Sequence, residues 1–559
     1  MREFVCDDAR NVRSSDGGVI NHGPSSVNLR GRDNDSSRRS DRTVWKTAAR
    51  SALISAVALF SIATLAHADE LSDTKTQLDQ LREQNQALTK STADLEKRLR
   101  KLEAQAAKQP VTAAPSTRPV AAVGVDYKKA PPKPADNDSL TWHGITLYGT
   151  VDMGVGYQNH GAPLSNVAGF GLDYLISKNS NKPYFGAAPN ALSASNVGLK
   201  GDEELFPGLS FIFNLQTTFL PTSGRLADGL GSLVQDNGVP LANQVSSADS
   251  SKDGQFFNTA AWGGVSSPTY GTLTYGRQNS LTLDGVIAYD PLAGSGAFSV
   301  IGFQGTTAGM GDTENARLDN SIKYLVNIGP FRAATAVQLG NNGDGTRNIV
   351  EGQLGVTYQG LSLDAIYSHV NDAISSASLP VGFVPTAAQL ANAGQGLVAG
   401  TISDNTSLML LASYTTGPLR LYAGFENISF ANPSTPLIVG TPIIGGYTLG
   451  TANNTNFPND KDLQIFWTGA KYAVTSNLDV TAAYYQERQN SFGVVGCSNS
   501  SLATCSGQLY AASLVADYKF NKQFDAYIGA MYSQVDNGLA NGFLHRDAID
   551  PTVGARYQF

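Results

Sequence analysis

The residues from Ser139 to Phe559 alternate between apolar side chains and polar or small ones with a period of two. In residues 145–157, for example, every second position is apolar or glycine. Successive side chains of a β-strand point to opposite faces, so the pattern predicts strands that have one apolar face. Sixteen such strands can be counted, at approximately 144–157, 192–201, 208–220, 255–266, 270–277, 318–326, 330–340, 349–359, 360–370, 405–416, 418–430, 461–473, 477–488, 508–520, 523–534 and 550–559.

The connections between these strands alternate between short and long along the whole region. Such alternation is typical of outer-membrane barrels, which have tight periplasmic turns and longer extracellular loops. A soluble sandwich shares the period of two but not this regular alternation. Because a sheet in lipid leaves no edge unpaired, we expect an all-β transmembrane barrel of sixteen antiparallel strands, located in the outer membrane and contacting its lipid.

Composition supports this assignment. Charged residues make up 16% of the chain, the mean hydropathy is -0.16, and the chain contains 57 glycines. Strands that are only half apolar give such an average. From Ser139 onward, 18 basic side chains stand against 29 acidic ones, a net charge of -11. Without a basic excess, nucleic acid is not expected as a partner.

One connection stands apart, between the strands that end near Gln278 and begin near Leu318. It is rich in glycine and shows no strand or helix period, and it carries Asp284, Asp290 and other acidic residues. Loops of that length are usually functional in compact domains. We expect this third extracellular loop to fold into the barrel and narrow the pore.

The N-terminal 68 residues have the features of an export signal behind a polar leader. Residues 1–43 lack a hydrophobic period and are expected to be disordered, and a start at Val44 would leave a better signal. Lys46 and Arg50 then precede an apolar core at residues 52–65, followed by a small-x-small cleavage site that ends at Ala68. The alternative is an uncleaved membrane anchor.

Residues 69–108 follow a heptad pattern, with Leu at most positions of one seam and Asn85 in the other. The pattern predicts a coiled coil whose register Asn85 helps to fix; the alternative is a single solvated helix in the periplasm. Residues 109–138 are rich in Pro, Ala and Lys and are typical of an extended linker. Peptidoglycan contact through residues 69–138 is one interpretation, and a solvated spacer is the other.

The last strand ends with Tyr557 and Phe559 on its apolar face. This ending resembles the signal read by the outer-membrane barrel assembly machinery, which is therefore an expected partner.

Five segments of residues 139–559 together resemble the Gram-negative general porins of the neisserial and related proteobacterial type. The segments are residues 145–152 (ITLYGTVD), 197–205 (VGLKGDEEL), 270–278 (YGTLTYGRQ) and 317–324 (RLDNSIKY) and the terminal Phe559. The resemblance implies a homotrimeric channel of sixteen strands whose third loop folds inward. If the barrel is trimeric, the coiled coil is most simply a trimer too.

The charges expected at the pore constriction depart from that family pattern. Two positions at which such porins often carry Arg are here Asn196 and Thr259. Alternation leaves two lysines facing the lumen, two arginines at the roots of the loop and two acids within it: Lys200, Lys323, Arg277, Arg317, Asp284 and Asp290. Acidic rings favour cations, so we expect a weak cation preference. The alternative is that several of these charges lie in exposed loops without effect on selectivity.

No catalytic or metal-binding pattern is evident. Cys497 and Cys505 flank a short polar segment and are candidates for a disulfide, whereas a metal pair would lack a nearby His. No Ser nucleophile has a His at a meaningful spacing. The sequence therefore predicts a passive diffusion channel for ions and small hydrophilic solutes, without a cofactor or enzymatic activity. The alternatives are a substrate-selective channel and a tether between the outer membrane and the cell wall.

Overall fold

A computed structural model describes residues 140–168, 176–247, 251–301, 316–340, 348–440, 443–494 and 502–559, together with seven single residues between 75 and 101. The chain divides into two compact units, Met1–Thr117 and Arg118–Phe559. In the first unit the seven residues are helical and exposed: Lys75, Arg82, Gln86, Lys90, Lys97, Arg100 and Lys101. The predicted leader, signal peptide, coiled-coil seams and linker lie outside the described residues and stay predictions.

In the described part of the second unit, sixteen long strands follow one another. They are β1 Ile145–Gly161, β2 Asn196–Phe206, β3 Leu209–Thr218, β4 Ala260–Ser267, β5 Gly271–Asn279, β6 Arg317–Ile328, β7 Phe331–Gln338, β8 Ile349–Tyr358, β9 Leu361–Ala377, β10 Gly396–Thr416, β11 Leu419–Ala431, β12 Lys461–Ala473, β13 Leu478–Gln489, β14 Gly507–Lys519, β15 Phe524–Asn537 and β16 Asp547–Gln558.

The sheet formed by these strands closes on itself. Each strand pairs antiparallel with the next, and β16 pairs with β1, where Gly554 lies opposite Gly154. At this seam Phe559 and Gly149 exchange two backbone hydrogen bonds of 3.1 Å. Tight turns of two to four residues alternate with longer connections. The predicted all-β barrel of sixteen antiparallel strands is therefore confirmed.

Two strands extend furthest beyond the ranges that the sequence pattern predicts. β9 continues past Val370 to Ala377, and its partner β10 begins at Gly396 rather than near residue 405. The register shifts between Val370 and Ala373, where Asp372 has a positive φ of 54°. Such a bulge moves the later side chains to the opposite face, so the period of two is interrupted although the pairing resumes.

The outward face of the barrel is apolar, as the alternation predicts. Leu354, Ile528 and Leu514, for example, are each at least 60% exposed. Aromatic side chains lie beside the tight turns and are exposed as well: Tyr358, Tyr414, Tyr472, Tyr518 and Phe520. Amphipathic rings are favoured at a membrane interface, which places the turns at one membrane surface.

Four short strands, which pair with this sheet or with one another, and several short helices are present in addition to the sixteen long strands in the described ranges. The strands are Thr141–Trp142, Lys182–Ala187, Ile443–Ile444 and Tyr447–Asn453, and the helices are α1 Gly229–Gln235, α2 Leu281–Tyr289 and α3 Ala387–Ala391, with 3₁₀ turns at Leu241–Asn243 and Gly538–Ala540. None of the helices among the described residues is long and apolar enough to cross a lipid bilayer.

The connection between β3 and β4 (residues 219–259, loop 2) packs against the extended ends of β9 and β10. Leu230 and Leu233 of α1 are buried there with Ile402 of β10. The Asn237 amide donates to the Leu397 carbonyl at 2.7 Å. Loop 2 therefore reaches from one side of the extracellular mouth to strands well around the barrel.

Candidate functional site

The connection between β5 and β6 (residues 280–316, loop 3) begins with a helix that the sequence pattern does not reveal. Ser280 caps α2 by accepting a hydrogen bond of 3.1 Å from the Leu283 amide. The backbone amide of Leu281, the first residue of the helix, donates a hydrogen bond of 2.7 Å to the Glu351 carboxylate on β8. Nearly every α2 residue is buried, so no apolar stripe with helical period exists, and the expectation of a loop without helix was wrong.

The helix lies directly against the inner surface of the wall. At Gly285 an added Cβ would lie 2.7 Å from the Ile366 side chain on β9 and 2.9 Å from Leu411 on β10. Side chains of this part of the wall therefore form an apolar core with loop 3 inside the barrel instead of facing water. The predicted inward folding of loop 3 is confirmed by these contacts.

The C-terminal end of α2 is anchored close to the turn side of the barrel. The Tyr289 hydroxyl donates to Asp364 on β9 at 2.5 Å. Arg332 on β7 contacts both groups, at 2.6 Å from the Tyr289 oxygen and 2.8 Å from Asp364 Oδ1. Burial and the neighbouring carboxylate raise the pKa of Tyr289, so its hydroxyl stays a donor.

Asp290, one of the predicted constriction residues, holds the turn that follows α2. Its carboxylate accepts hydrogen bonds of 2.7 Å from the Tyr485 hydroxyl on β13 and from the Gly294 amide. Only 2% of Asp290 is exposed, and burial raises the pKa of its carboxyl group. The structure thus places this acid behind the loop surface and not on the open lumen.

Loop 3 then continues along the wall toward the last strands. The Trp467 indole on β12 donates to the Tyr289 carbonyl at 3.1 Å. The Ser513 hydroxyl on β14 donates to the Phe298 carbonyl at 2.7 Å. The Phe298 ring packs perpendicular to the Tyr527 ring on β15, with ring centres 6.2 Å apart. Residues 281–301 thus follow the inner wall from β7 to β15.

Asp284 and Lys323 form an ion pair across the root of loop 3. The Lys323 ammonium also donates to the Asn279 carbonyl at 2.9 Å, and the Asn279 amide donates to Asp284 at 3.1 Å. Both charged side chains are about 90% buried. The structure therefore brings these two predicted residues together, and each offsets the charge of the other.

The two arginines at the roots of loop 3 bind loop 2. Arg277 forms an ion pair of 2.7 Å with Asp319 and donates to the Asn258 carbonyl at 3.0 Å. Arg317 Nη1 lies 3.5 Å from Ser251 Oγ, and Arg277 donates to the Ser251 carbonyl at 2.5 Å. Both arginines are buried. Because they lie on the wall strands and contact Ser251 or Asn258 of loop 2, they connect loop 2 to the wall.

Lys200 differs from the other predicted residues because it is exposed on the inner face of the barrel. Its ammonium lies 5.1 Å from the centre of the Tyr148 ring on β1. Asn196 and Thr259, the two positions at which similar porins often carry Arg, are polar and form local hydrogen-bond contacts. Asn196 donates to the Ala194 carbonyl at 2.8 Å, and the Thr259 and Thr218 hydroxyls lie 2.6 Å apart.

A belt of charged side chains near the tight turns was not found from the sequence. Asp479 lies 3.1 Å from Lys471 and 2.7 Å from Lys519. Arg556 lies 3.1 Å from Asp525 and 3.8 Å from Asp517. The sequence did contain a signal for this belt, since all of these charged residues occupy lumen-facing alternate positions close to the turns. Because acids and bases alternate, the belt presents little net charge.

The C-terminal aromatic residues and the cysteines are the remaining residues that the sequence analysis singled out. The Phe559 ring lies against Gly149 and near Tyr557, with ring centres 6.0 Å apart. Cys505 is buried and disulfide-bonded; Cys497 lies outside the described residues, so that pairing stays a prediction. In the described ranges, no group of three or more His, Cys, Asp or Glu side chains could hold a metal ion.

Comparison with known proteins places this architecture in context. The sequence model of the Gram-negative porins matches residues 120–538. An outer membrane porin protein of Bordetella pertussis is 26% identical over 180 residues, 32% of this chain, and the match spans only 38% of that relative's length.

Solved structures with a similar barrel include an anion-selective porin from Comamonas acidovorans and a trimer form of OmpT from Vibrio cholerae. The first is 17% identical with a TM-score of 0.48, covering 74% of this chain and 99% of the other. The second is 14% identical with a TM-score of 0.45, with the same coverage.

Proposed function

The chain belongs to the Gram-negative porin family and is an outer-membrane β-barrel, and from this we propose that it forms a passive, water-filled channel for ions and small hydrophilic solutes. Porins are channels and not enzymes, so solutes are selected by pore width and lumen charge, without chemical change. The observation that supports this most directly is the asymmetric filling of the barrel. Loop 3 contacts the wall from β7 to β15, whereas β2 carries an exposed lumen-facing lysine, Lys200.

The proposed ion preference is weakly cationic. Its support is the net charge of -11 from Ser139 onward, since acidic surroundings raise the local concentration of cations. The carboxylates of loop 3 are a poor source for it, because Asp284 is paired with Lys323 and Asp290 is buried.

Single-channel recording in a planar bilayer tests both parts of this proposal. Large, stable current steps from the purified mature protein are expected, and a salt gradient should give a reversal potential of the sign for cations. Correctly folded protein without current steps would overturn the channel. A reversal potential of the opposite sign would overturn the cation preference alone.

We also propose that the channel is a homotrimer. The heptad pattern of residues 69–108 supports it, because a coiled coil of three helices would follow the symmetry of a trimeric barrel. Chemical cross-linking of the protein in detergent should give a trimer band, and channel closures should occur in threes. Only monomer bands, together with single closures, would contradict this. Recognition of Phe559 by the assembly machinery and peptidoglycan contact through residues 69–138 stay predictions.

A further inference from the structure

A row of polar and aromatic side chains crosses the wall on strands β1 to β4. In register, Thr146 lies opposite Lys200, Lys200 opposite Asn214, and Asn214 opposite Trp262. Neighbouring strands lie about 4.8 Å apart, so Lys200 and Trp262 stand roughly 10 Å apart along the row. The four residues therefore form one continuous band across adjacent strands.

The row faces the interior of the barrel. Leu199, next to Lys200, and Phe211, three positions before Asn214, belong to the apolar outward face and are 39% and 42% exposed. Because successive side chains alternate between faces, Lys200, Asn214 and Trp262 point inward. This is the side of the barrel opposite the main contacts of α2, which lie on β7 to β11.

Lys200 contributes to the row a positive charge that forms no direct ion pair with a described residue. In the part of the chain that the structure describes, it has no carboxylate within ion-pairing distance. Lys323, Lys471 and Lys519, also on the inner wall, each have an acidic partner within 3.1 Å. The charge of Lys200 is therefore available to an anion in the lumen.

Asn214 supplies hydrogen-bond donors beside this charge. Its side-chain oxygen accepts a hydrogen bond of 2.5 Å from the Tyr148 hydroxyl. Its side-chain nitrogen has no hydrogen-bond partner among the described residues. A carboxylate that approached Lys200 could therefore also accept a hydrogen bond from the Asn214 amide, and charge-assisted bonds of this kind are the strong ones.

Trp262 supplies an aromatic surface at the other end of the row. It is half-buried, and it belongs to neither apolar core of the described residues. Its opposite neighbour on β5 is Gly276, which has no side chain to cover the indole. Tyr and Trp surfaces stack with aromatic partners in offset or edge-on arrangements.

We propose that Lys200, Asn214 and Trp262 form a binding site for small aromatic carboxylates on the pore wall, an inference that rests on the proposed channel. The carboxylate would contact the Lys200 ammonium and the Asn214 amide, and the ring would pack on the Trp262 indole. The spacing of two strands suits a single-ring acid such as benzoate. The chain would then pass such solutes by a saturable route in addition to free diffusion.

Benzoate is the probe for this site. Calorimetric titration of the folded full-length protein measures binding, and current block in a planar bilayer measures occupancy of the pore. Lys200→Gln removes the charge and should weaken benzoate binding about tenfold. Trp262→Leu removes the ring and should weaken it about fivefold. Acetate, without a ring, and benzyl alcohol, without a charge, should both bind less tightly than benzoate to the original protein.

Matched controls separate the site from general effects. Lys522→Gln removes an exposed lysine in a tight turn, and Trp142→Leu removes an exposed tryptophan paired in register with outward-facing Ile145. Both should bind benzoate normally. Heat-modified mobility in SDS gels checks that every variant is folded, and Trp262→Phe, which keeps a ring, should retain more binding than Trp262→Leu.

The outcomes distinguish this proposal from the channel itself. Undetectable benzoate binding to a conducting protein would overturn the site, as would equal binding by folded Lys200→Gln or Trp262→Leu. If the protein binds benzoate with the expected dependence on both residues but gives no current, the site stands and the channel fails.

Discussion

The Tyr485 hydroxyl on β13 donates a 2.7 Å hydrogen bond to the Asp290 carboxylate in loop 3. This contact joins the turn after α2 in loop 3 to the barrel wall, and both side chains are buried. Loop 3 is therefore fastened at a point beyond its helix as well as at its root. A loop held only at its root would be free to move across the pore.

Tyr485→Phe should loosen loop 3 while leaving the barrel intact. The buried carboxylate loses one donor, which costs about 1–3 kcal/mol of local stability. We expect noisier single-channel currents and faster hydrogen exchange in residues 290–301. Tyr484→Phe is the matched control, because Tyr484 is an exposed neighbour on the outward face. Currents from Tyr485→Phe as quiet as those of the control would contradict an anchoring role.

The Asp284–Lys323 pair should show strong coupling in a double-mutant cycle. Asp284→Asn or Lys323→Met alone leaves one buried charge without its partner, which costs about 3–5 kcal/mol. The double variant should lose less stability than the sum of the two single changes. Urea unfolding of each variant, followed by gel mobility, measures these losses of stability. Additive effects of the two changes would show that the pair is not coupled.

The original protein, the two single variants and the double variant also test whether this pair contributes to the ion preference. In Asp284→Asn the remaining ammonium should shift the reversal potential toward anions, and in Lys323→Met the remaining carboxylate should shift it toward cations. The double variant should return near the original value. If neither single change moves the reversal potential, the pair lies outside the ion path.

Gly149→Ala should impair closure of the barrel. A Cβ at Gly149 would lie 2.6 Å from both the Asn196 carbonyl oxygen and the Phe559 ring, so the seam must shift to accept it. We expect a smaller folded fraction after refolding into detergent, read by heat-modified mobility. Gly352→Ala is the control, because a Cβ there meets no atom within 4 Å. Equal folded yields would show that the seam tolerates a side chain.

The stability of loop 2 should depend on pH through Asp236. Its carboxylate accepts a 2.9 Å hydrogen bond from the Val245 amide, and burial raises its pKa to about 6. The unfolded value is about 4, so the folded loop binds the proton more tightly. Its stability should rise as the pH falls from about 6 to about 4 and should decline as the pH rises through that window.

Hydrogen exchange of residues 229–247, corrected for intrinsic rates, measures this dependence. Asp236→Asn keeps an acceptor oxygen but has no proton to bind, so it should remove the dependence. Asp460→Asn, which changes an exposed carboxylate in another loop, should leave it as it is. A pH profile that persists in Asp236→Asn would assign the effect to another group.

Titration of thiols tests the predicted disulfide. The folded mature protein should show no free thiol before reduction and two after it, from Cys497 and Cys505. Cys505→Ser should expose one thiol, because the partner is then unpaired. A free thiol in the unreduced, fully oxidised protein would contradict pairing within the loop.

The strands were predictable because their signal is local. A period of two needs only neighbouring residues, and alternating turn lengths give the closed topology. The extension of β9 was missed because the bulge near Asp372 interrupts the period. Helix α2 was missed for a different reason: it is buried nearly all round, so its apolar residues follow no stripe.

The site was less predictable because its charges are decided by distant partners. Alternation predicted that Lys200 and Lys323 face the lumen, but it could not show that Lys323 meets Asp284 from loop 3. Asp290 looked available for the pore, yet its environment comes from Tyr485 on a strand far along the chain. Pairings of this kind depend on the path of the loop, which has no local pattern.

The backbone bonds between Phe559 and Gly149 join the C-terminal residue to the first strand. Until β1 and β16 meet, the folding sheet has two unpaired edges. Unpaired edges attract other chains, and contacts between the two ends of a sequence form slowly. Closure at this seam is thus expected to be a late step in folding, before which β1 and β16 are open to pairing with other chains.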